Sequence, residues 1–373
     1  IEKNRELGGL VNSYLRNGFH FDAGVRALIN AGIILPMLED LGIKLETVKS
    51  PVSLGIENEI LHIKNLDSLT EYKDLLKRFY PDSSKDIDLL IKTIRRIMKH
   101  MDVLYGIENP VFKDLKRDRA FIFRKLLPWF PRFLFTVGKI NRMKIPVDDY
   151  LKTIVKDPSL RDIISQHFFR NTPTFFALSY FALYNDYLYP KGGVGEFIQK
   201  LVKAIEERGG EIRYQTEITG VHAHLKILKD SNGNEYRYNK LIWAGDMKNL
   251  YTITNTKGLN KRHIANFANK KLAVLSHKGA ESVFSVFLAT DLEPDYFGEK
   301  ASGHFFYTPD RKGIAEIHTK ELQGMLLRWE TIEKEELFAW LERFCLYNTF
   351  EISIPVLRDS DAAPQGKTGI IIS

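Results

Sequence analysis

The spacing of apolar and polar residues changes along the chain and predicts strands and helices in alternation. Between residues 68 and 101 apolar side chains recur every three or four positions, which is typical of amphipathic helices. Residues 45–65 alternate between apolar and polar instead, as strands do. The apolar run at 33–38 leads into Leu41-Gly42 and predicts a short helix that a glycine ends. The early part of the chain therefore predicts a mixed α/β arrangement.

The pattern changes after residue 189, following a stretch at 110–188 that predicts mostly helix and is rich in aromatic residues. A turn at 190–195 leads into a strong predicted helix at 196–208, which Gly209-Gly210 ends. The later predicted elements are a short strand at 211–214, a hairpin turning at 230–233, a buried strand at 241–244, strands at 282–289 and 367–373, and a helix at 332–347. This order is typical of a nucleotide-binding domain that resumes after a long insertion.

The first residues combine a strand end with a glycine turn. Ile1-Glu2 predicts the end of an apolar strand, and Leu7-Gly8-Gly9 follows it. A carboxylate at the end of the second strand of a dinucleotide-binding unit accepts hydrogen bonds from ribose hydroxyls. The GxGxxG turn of such a unit would precede Ile1. We therefore expect the chain to be a piece of a larger cofactor-binding protein.

Composition sets limits on the function. The chain has 373 residues, 44% of them hydrophobic, which is enough for two domains with buried cores. Its apolar runs are shorter than the roughly 20 residues of a spanning helix, and we see no signal peptide. Cys345 is the single cysteine, which excludes an internal disulfide and a CxxC site. The ten histidines form no metal-binding motif, and His222 and His224 predict surface positions on one strand face, so we expect no metal.

Positive charge is concentrated in one aromatic stretch. Residues 112–144 hold ten lysines and arginines against two aspartates, a net charge of +8 in a chain whose total is +7. Phenylalanines, leucines and Trp129 interleave with these cations, which favours contact with an anionic membrane surface. We expect Pro128 and Pro131 to break the stretch into short helices. The alternatives are an insertion that packs on the core with solvated charges, and a nucleic-acid surface, for which no recognised module is present.

Several short motifs follow one another from end to end of the chain. They are Glu2-Lys3-Asn4 with Leu7-Gly8-Gly9, then residues 18–24, 189–195, 209–212 with 216–218, 242–246 and 363–369. In this order they resemble the phytoene desaturase and carotenoid isomerase family of FAD-dependent oxidoreductases, which includes the retinol saturases. Besides the GxGxxG turn, which would precede Ile1, two features depart from the family. Leu10 stands where the family often has Arg, and the C-terminal glycine-rich flavin motif would lie beyond Ser373.

The resemblance implies an α/β fold with a partial Rossmann-like FAD-binding domain and an inserted substrate domain of mixed β-sheet plus helices. We predict the first domain from residues 1–47 and 190–250, and the second from residues 48–189 and 251–373. The complete protein would be a FAD-dependent desaturase, saturase or isomerase acting on carbon–carbon double bonds of an apolar polyene or isoprenoid. The alternatives are a non-redox lipid-binding or interaction module and an amine-oxidase-type flavoenzyme.

The single cysteine and the basic aromatic stretch at 112–144 indicate a place in the cell. We expect a cytoplasmic protein, peripheral on the inner face of the membrane, with no nucleic acid as partner. We expect the 373-residue chain to hold FAD weakly or not at all, because the missing glycine turn supplies the main cradle for the pyrophosphate.

Glu2, Gly8 and Gly9 are the first candidate contacts to FAD. Glu2 is predicted to bind the ribose hydroxyls, and its alternative is a solvated strand end. Gly8 and Gly9 let the backbone approach a pyrophosphate closely, and their alternative is an ordinary turn.

Ile218, Gly245 and Asp246 complete the predicted cofactor site. By the resemblance, the backbone of Ile218 pairs with adenine while its side chain only packs. Gly245 and Asp246 follow a predicted buried strand, and ligands of open α/β sheets lie beyond such strand ends. Their alternative is a turn in which Asp246 caps the next segment.

Two glycine-containing loops are expected by the resemblance to lie near the flavin. The loop with Asp22 and Gly24 has an Asx turn as its alternative. The second loop holds Gly192, Gly193 and Gly195 before a helix, whose free N–H groups would suit an anion; its alternative is a flexible cap. No catalytic side chain can be named, since in this chemistry the flavin carries the hydride.

Overall fold

The computed structural model describes residues 1–29, 32–279, 282–314 and 317–373. The chain divides into a smaller unit, Ile1–Gly9 with Leu201–Glu281, and a larger unit, Leu10–Lys200 with Ser282–Ser373. These units do not coincide with the predicted domains, because residues 10–47 fall in the larger unit. The predicted boundaries concern contacts to cofactor and substrate, so they stay a prediction.

The bounds of the strands and helices are as follows. The strands are β1 (Ser13–Arg16), β2 (Phe19–Asp22), β3 (Leu28–Ile29), β4 (Thr47–Lys49), β5 (Val52–Ile56), β6 (Glu59–Ile63), β7 (Tyr187–Pro190), β8 (Ile218–His222), β9 (Ile227–Asp230), β10 (Glu235–Arg237), β11 (Thr254–Asn255), β12 (Val286–Thr290), β13 (His304–Thr308), β14 (Phe350–Ser353) and β15 (Thr368–Ile372). The helices are α1 (Ile34–Asp40), α2 (Ser68–Phe79), α3 (Ser84–Tyr105), α4 (Arg119–Phe121), α5 (Leu127–Asn141), α6 (Val147–Ile154), α7 (Pro158–Ser165), α8 (Thr174–Leu183), α9 (Gly195–Glu207), α10 (Met247–Ile253), α11 (Lys261–Ser276), α12 (Pro294–Gly298), α13 (Leu322–Leu327) and α14 (Lys334–Tyr347).

The larger unit contains a six-stranded mixed sheet in the order β12-β15-β14-β13-β5-β6. Strands β13 and β5 run parallel, and the other neighbours in this sheet are antiparallel. A second, antiparallel sheet has the order β3-β7-β4, and β1 pairs with β2. The β1–β2 hairpin turns at Asn17-Gly18, where both residues have positive φ, 53° and 83°. Such a two-residue turn matches the twist of the strands it joins.

Helices α2 and α3 close the main core of the larger unit against β5 and β6. Ile87, Leu90, Ile94 and Ile97 recur at helical spacing along α3, and all four are buried. They pack into one apolar cluster that also includes residues of α6, α7 and α8. Each such side chain contributes about 1.5–3 kcal/mol when it is fully buried. The amphipathic pattern at 68–101 therefore predicted both the helices and the face that they bury.

The smaller unit is built around the sheet β10-β9-β8-β11, in which β11 runs parallel to β8. The predicted hairpin at 230–233 is confirmed, with Gly233 at φ 84°. The Asp230 carboxylate accepts hydrogen bonds from the Asn234 side chain, the Tyr236 hydroxyl and backbone N–H groups of the turn, and these bonds lower its pKa to about 2. The sheet thus has a rigid hairpin at one edge.

Other predicted elements are confirmed with small shifts. Helix α1 ends before Gly42, whose φ is 69°, and α9 ends before Gly209, whose φ is 77°. Both glycines take the left-handed conformation that terminates helices. The predicted helix at 332–347 and strand at 367–373 correspond to α14 and β15. The strand predicted at 282–289 begins later, at Val286.

Three predicted strands are wrong. Residues 1–2, 211–214 and 241–244 are not part of any strand. The first two segments are joined by single backbone hydrogen bonds, from Glu2 N–H to Arg213 O and from Thr216 N–H to Glu2 O, with Gln215 at φ 49° between them. Residues 241–244 pair with no described strand, and Ile242 is 91% exposed. Apolar composition predicted burial there, but a strand also needs neighbours with which to share its hydrogen bonds.

The expected break at Pro128 and Pro131 is also wrong. Residues 119–141 are helical throughout, with a π-helical stretch at Ile122–Leu126 joining α4 to α5. Pro128 lies in the first turn of α5, where a missing N–H is tolerated. The wider π turn, in which Leu127 N–H bonds to Ile122 O, shifts the hydrogen-bond register just before the prolines. The helix therefore accommodates both.

Candidate functional site

The six residues predicted to contact a cofactor all belong to the smaller unit. They are Glu2, Gly8, Gly9, Ile218, Gly245 and Asp246. Glu2 is hydrogen-bonded through its backbone to Thr216, two residues before Ile218 opens β8. Two residues of extended chain span about 7 Å, so Glu2 and Ile218 are close neighbours at this end of the sheet.

The Glu2 carboxylate is folded back over its own turn. Its Oε1 accepts a hydrogen bond of 2.8 Å from the backbone N–H of Asn4. The side chain is half-exposed, and within the described residues Oε2 has no hydrogen bond. One carboxylate oxygen is therefore available to a ligand hydroxyl.

Gly8 and Gly9 both have positive φ, 101° and 54°. Side chains rarely adopt such angles, so the backbone itself requires glycine here. A Cβ on Gly9 would meet nothing within 4 Å, and Gly9 is exposed whereas Gly8 is half-buried. The turn is open enough for an anion to reach its backbone, and it equally satisfies the alternative of an ordinary turn.

Asp246 caps helix α10. Its Oδ1 accepts a hydrogen bond of 2.9 Å from Lys248 N–H, and its carbonyl accepts one of 3.0 Å from the Trp243 indole. Helix α10 in turn packs against β8. The capping role is therefore present in the structure, while the cofactor contacts of Gly245 and Asp246 stay a prediction.

Asp22 forms neither a simple loop nor an Asx turn. It is buried at the end of β2, where Oδ1 accepts hydrogen bonds from Ser13 Oγ (2.7 Å) and Val194 N–H (3.0 Å). Oδ2 accepts a third bond from the Tyr189 hydroxyl at 3.0 Å. The backbone at Gly24 lies close to Leu10, and a Cβ on Gly24 would be 2.7 Å from Leu10 O. Asp22 thus holds together segments that are remote in sequence.

The N–H groups before α9 are not free, contrary to the prediction. Gly192 N–H donates to Asp359, Val194 N–H to Asp22 and Gly195 N–H to Ser13 Oγ. Two carboxylates therefore already occupy this helix start, which favours negative charge. Gly193 is needed for close packing, since a Cβ there would lie 2.6 Å from Ser13 Oγ. Whether this loop lies near a flavin stays a prediction.

A buried charged cluster in the larger unit escaped the sequence reasoning. Arg26 and Arg358 are both buried, and the guanidinium of Arg358 lies 3.9 Å from the centre of the Tyr189 ring. Arg358 donates to Arg26 O at 2.8 Å and to Ser353 Oγ at 2.5 Å, and Arg26 donates to Asp22 O. Burial lowers the pKa of both guanidiniums, and nearby carboxylates oppose this effect. The sequence signal that could have indicated this cluster is the position of Arg26 and Arg358 beside apolar residues.

The two candidate histidines lie at one end of β8. His222 ends β8, and His224 follows in a turn against Gly258. Across the described ranges no three or more His, Cys, Asp or Glu side chains are grouped to hold a metal ion. No helix in that part of the chain combines the length and apolarity needed to cross a membrane.

Known proteins similar to this chain are redox enzymes and isomerases by name. No protein-family model matches the chain. It is 20% identical to all-trans-retinol 13,14-reductase of Danio rerio over 338 residues, which cover 82% of this chain and 52% of that protein. It is 22% identical to a 4,4'-diapophytoene desaturase of Methylomonas over 70% of this chain and 52% of the relative, and 23% identical to prolycopene isomerase of Daucus carota over 63% and 40%. The chain spans about half the length of these relatives.

Solved structures share the fold. An oxidoreductase from Methanosarcina mazei matches the whole chain with a TM-score of 0.59 at 14% identity, covering 71% of that structure. A Pyrococcus furiosus protein matches with 0.57 at 15% identity and the same coverage, and putrescine oxidase bound to putrescine matches with 0.51 at 13% identity, covering 68%. The predicted fold class and the predicted resemblance are thereby confirmed.

Proposed function

We propose that the complete protein is a FAD-dependent oxidoreductase that acts on carbon–carbon double bonds of an apolar polyene or isoprenoid. The observation that carries the proposal is the set of relatives, a reductase, a desaturase and an isomerase, aligned over 63–82% of this chain. Their names refer to retinol, diapophytoene and prolycopene, which are apolar molecules with several carbon–carbon double bonds. Desaturation, saturation and isomerisation are the candidate reactions.

The residues of the smaller unit fit the adenosine half of FAD. The open oxygen of Glu2 would accept hydrogen bonds from the ribose hydroxyls, and the backbone of Gly8 and of exposed Gly9 would approach the pyrophosphate. The β8 edge at Ile218 would face adenine. When bound, the flavin ring would supply the hydride acceptor or donor, while the protein binds and orients the substrate. Within this chain the proposed roles are therefore binding and positioning.

The test is to purify the protein expressed from its complete gene and record its visible absorbance. We expect the protein to contain bound flavin. With FAD supplied, we also expect it to convert an all-trans or cis polyene such as retinol or lycopene, and chromatography measures this conversion. A colourless protein that cannot be reconstituted with FAD would contradict the proposal.

Two other outcomes would replace the proposed substrate or the proposed activity. Oxidation of putrescine, without conversion of any polyene, would favour an amine oxidase, which the fold likeness to putrescine oxidase makes worth assaying. Lipid binding by a protein that takes up no flavin would favour a non-redox lipid-binding module. Each outcome contradicts the proposed function in a different way.

A further inference from the structure

Helix α5 and the π-helical stretch before it carry apolar side chains on two faces. One face packs inward through Trp129, whose indole donates to Val103 O at 2.5 Å, and through buried Thr136 and Ile140. The other face is a solvent-exposed stripe whose members are spaced by four, three and four residues. They are Phe123 (67% exposed), Leu127 (52%), Phe130 (48%) and Leu134 (55%).

An amphipathic helix of a globular protein normally has one apolar face, which it buries. Here the inward face is the one that packs against the protein. The outer stripe is exposed and has no packing partner among the described residues. Large exposed apolar patches of this kind mark sites of interaction with proteins or membranes. The charges beside the stripe decide between these occupants.

Arg124 and Arg132 lie two helical turns apart, on the flank of the helix between the stripe and the inward face that carries Trp129. Both are exposed, and within the described residues neither has an ion-pair partner. They line a groove of about 920 Å³ together with Trp129, two lysines (Lys113 and Lys125) and three carboxylates (Glu39, Asp40 and Glu108). Both lysines are already paired with Glu108, and their hydrogen bonds lower its pKa to about 2. Among the four cations that line this groove, the two arginines are therefore the ones without a described ion pair.

We propose that this face, which we call the docking face, binds the surface of an anionic phospholipid membrane. It consists of Phe123, Arg124, Leu127, Phe130, Arg132 and Leu134. The stripe would enter the boundary between headgroups and acyl chains, and the arginines would bind lipid phosphates, for which the guanidinium geometry is suited. The surrounding segment 112–144, with its net charge of +8, complements such a surface.

A bilayer fits these observations better than a protein or a nucleic acid. A protein partner would need its own acidic and apolar patch, whereas a bilayer offers both properties everywhere on its surface. Nucleic acid would leave an apolar stripe exposed beside its phosphates. The biological purpose, access to apolar substrates, rests on the proposed function, but docking itself requires no flavin.

The chain contains a second basic region that serves as a matched control. Residues 247–279 hold seven lysines and arginines and no acidic residue, a concentration that the sequence reasoning overlooked. Lys270 and Lys271 lie there on exposed α11, beside aliphatic residues such as Leu272. If charge alone drove binding, changes in α11 would matter as much as changes in the docking face.

The experiment is co-sedimentation of the full-length protein with vesicles of phosphatidylcholine alone or mixed with phosphatidylserine. We compare wild type with Arg124→Ser/Arg132→Ser, Phe130→Ser/Leu134→Ser and the control Lys270→Ser/Lys271→Ser. The changed side chains are exposed, except that of Lys271, which is half-buried. Circular dichroism and thermal unfolding confirm that each variant is folded. We expect binding only to the mixed vesicles, weakened by salt.

The arginine variant should bind about 30-fold more weakly, the factor given by two charges at about 1 kcal/mol each. The Phe130/Leu134 variant should also lose binding, whereas the α11 control should bind within about twofold of wild type. Unchanged binding by the arginine variant, or an equal loss in the α11 control, would overturn the docking face. So would equal binding to neutral vesicles.

Flavin content is measured in the same samples. A wild-type protein that holds flavin but does not bind the mixed vesicles would contradict this inference alone. A wild-type protein that binds these vesicles but holds no flavin would contradict the proposed function alone.

Discussion

The larger unit buries three apolar clusters, whereas the smaller unit buries few of its apolar side chains. The clusters centre on helix α3, on Phe19 with Phe21, and on Trp340, and all belong to the larger unit. In the described part of the smaller unit, the buried apolar residues are Ala204, Val221, Ile227 and Leu228. All six predicted cofactor residues nevertheless lie in the smaller unit.

The difference shows that most of the buried apolar core and the candidate cofactor residues lie in different parts of the chain. Buried apolar area is the main source of folding free energy, so the larger unit has its own means of staying folded. Residues that bind a ligand must stay reachable, and loosely packed regions open most easily. The smaller unit combines exposed glycines, a half-exposed carboxylate and an unpaired segment at 241–244.

Leu90→Ala should have the largest effect, because it leaves a cavity in the main core of the larger unit. We expect it to lower the free energy of unfolding by about 2–5 kcal/mol, measured by urea denaturation. The matched control is Ile242→Ala in the smaller unit, which should change this free energy by less than about 0.5 kcal/mol because Ile242 is exposed. Similar losses in both variants would contradict the contrast between the units.

The pH dependence of stability provides a second test of burial in the larger unit. The ring of His167 packs against Phe306, its Nδ1 is buried without a partner, and burial lowers its pKa to about 4. The unfolded chain takes up this proton near pH 6.5. The contribution of His167 to stability is therefore complete above about pH 6.5 and is lost as the pH falls towards 4, on the order of 3 kcal/mol.

His167→Leu replaces the titrating imidazole with an apolar side chain. The free energy of unfolding of this variant should therefore fall less steeply than that of the wild type as the pH is lowered from 6.5 to 4. Urea denaturation at several pH values measures the difference. Parallel curves for the variant and wild type would show that His167 is not the buried group responsible.

Asp246→Ala should have the smallest of these effects, because it removes one cap from a short helix of the smaller unit. We expect a loss of about 1 kcal/mol, seen as faster hydrogen exchange of the amides of α10. Asp246→Asn should restore protection, since asparagine caps as well as aspartate. Failure of the asparagine variant would mean that the charge of Asp246, rather than its cap, stabilises this region.

Local pattern predicted the larger unit better than the smaller one. The periodicity that gave α2 and α3 is a property of neighbouring residues, and burial of Leu90 follows from it. The bonds from Asp22 to Tyr189 and Val194 join residues about 170 positions apart, and no local signal indicates such partners. The Asn17-Gly18 pair, in contrast, is a local hairpin signal, and it would have predicted the turn between β1 and β2.

The wrong strands of the smaller unit have a related cause. Residues 241–244 have the apolar composition of a buried strand, but composition does not provide the neighbouring strands that a sheet requires. The candidate residues themselves were predicted from a resemblance, and the structure adds their surroundings: an open carboxylate oxygen, a glycine turn fixed by its angles and a helix cap.

The most direct test of the central claim is a titration of the complete, flavin-depleted protein with FAD, followed by flavin fluorescence. We predict saturable binding to the wild type, about 10–100-fold weaker binding to Glu2→Ala because hydrogen bonds to a charged group are lost, and unchanged binding to the exposed control Glu206→Ala. Equal affinity of all three proteins would contradict the claim that the smaller unit holds the cofactor through Glu2.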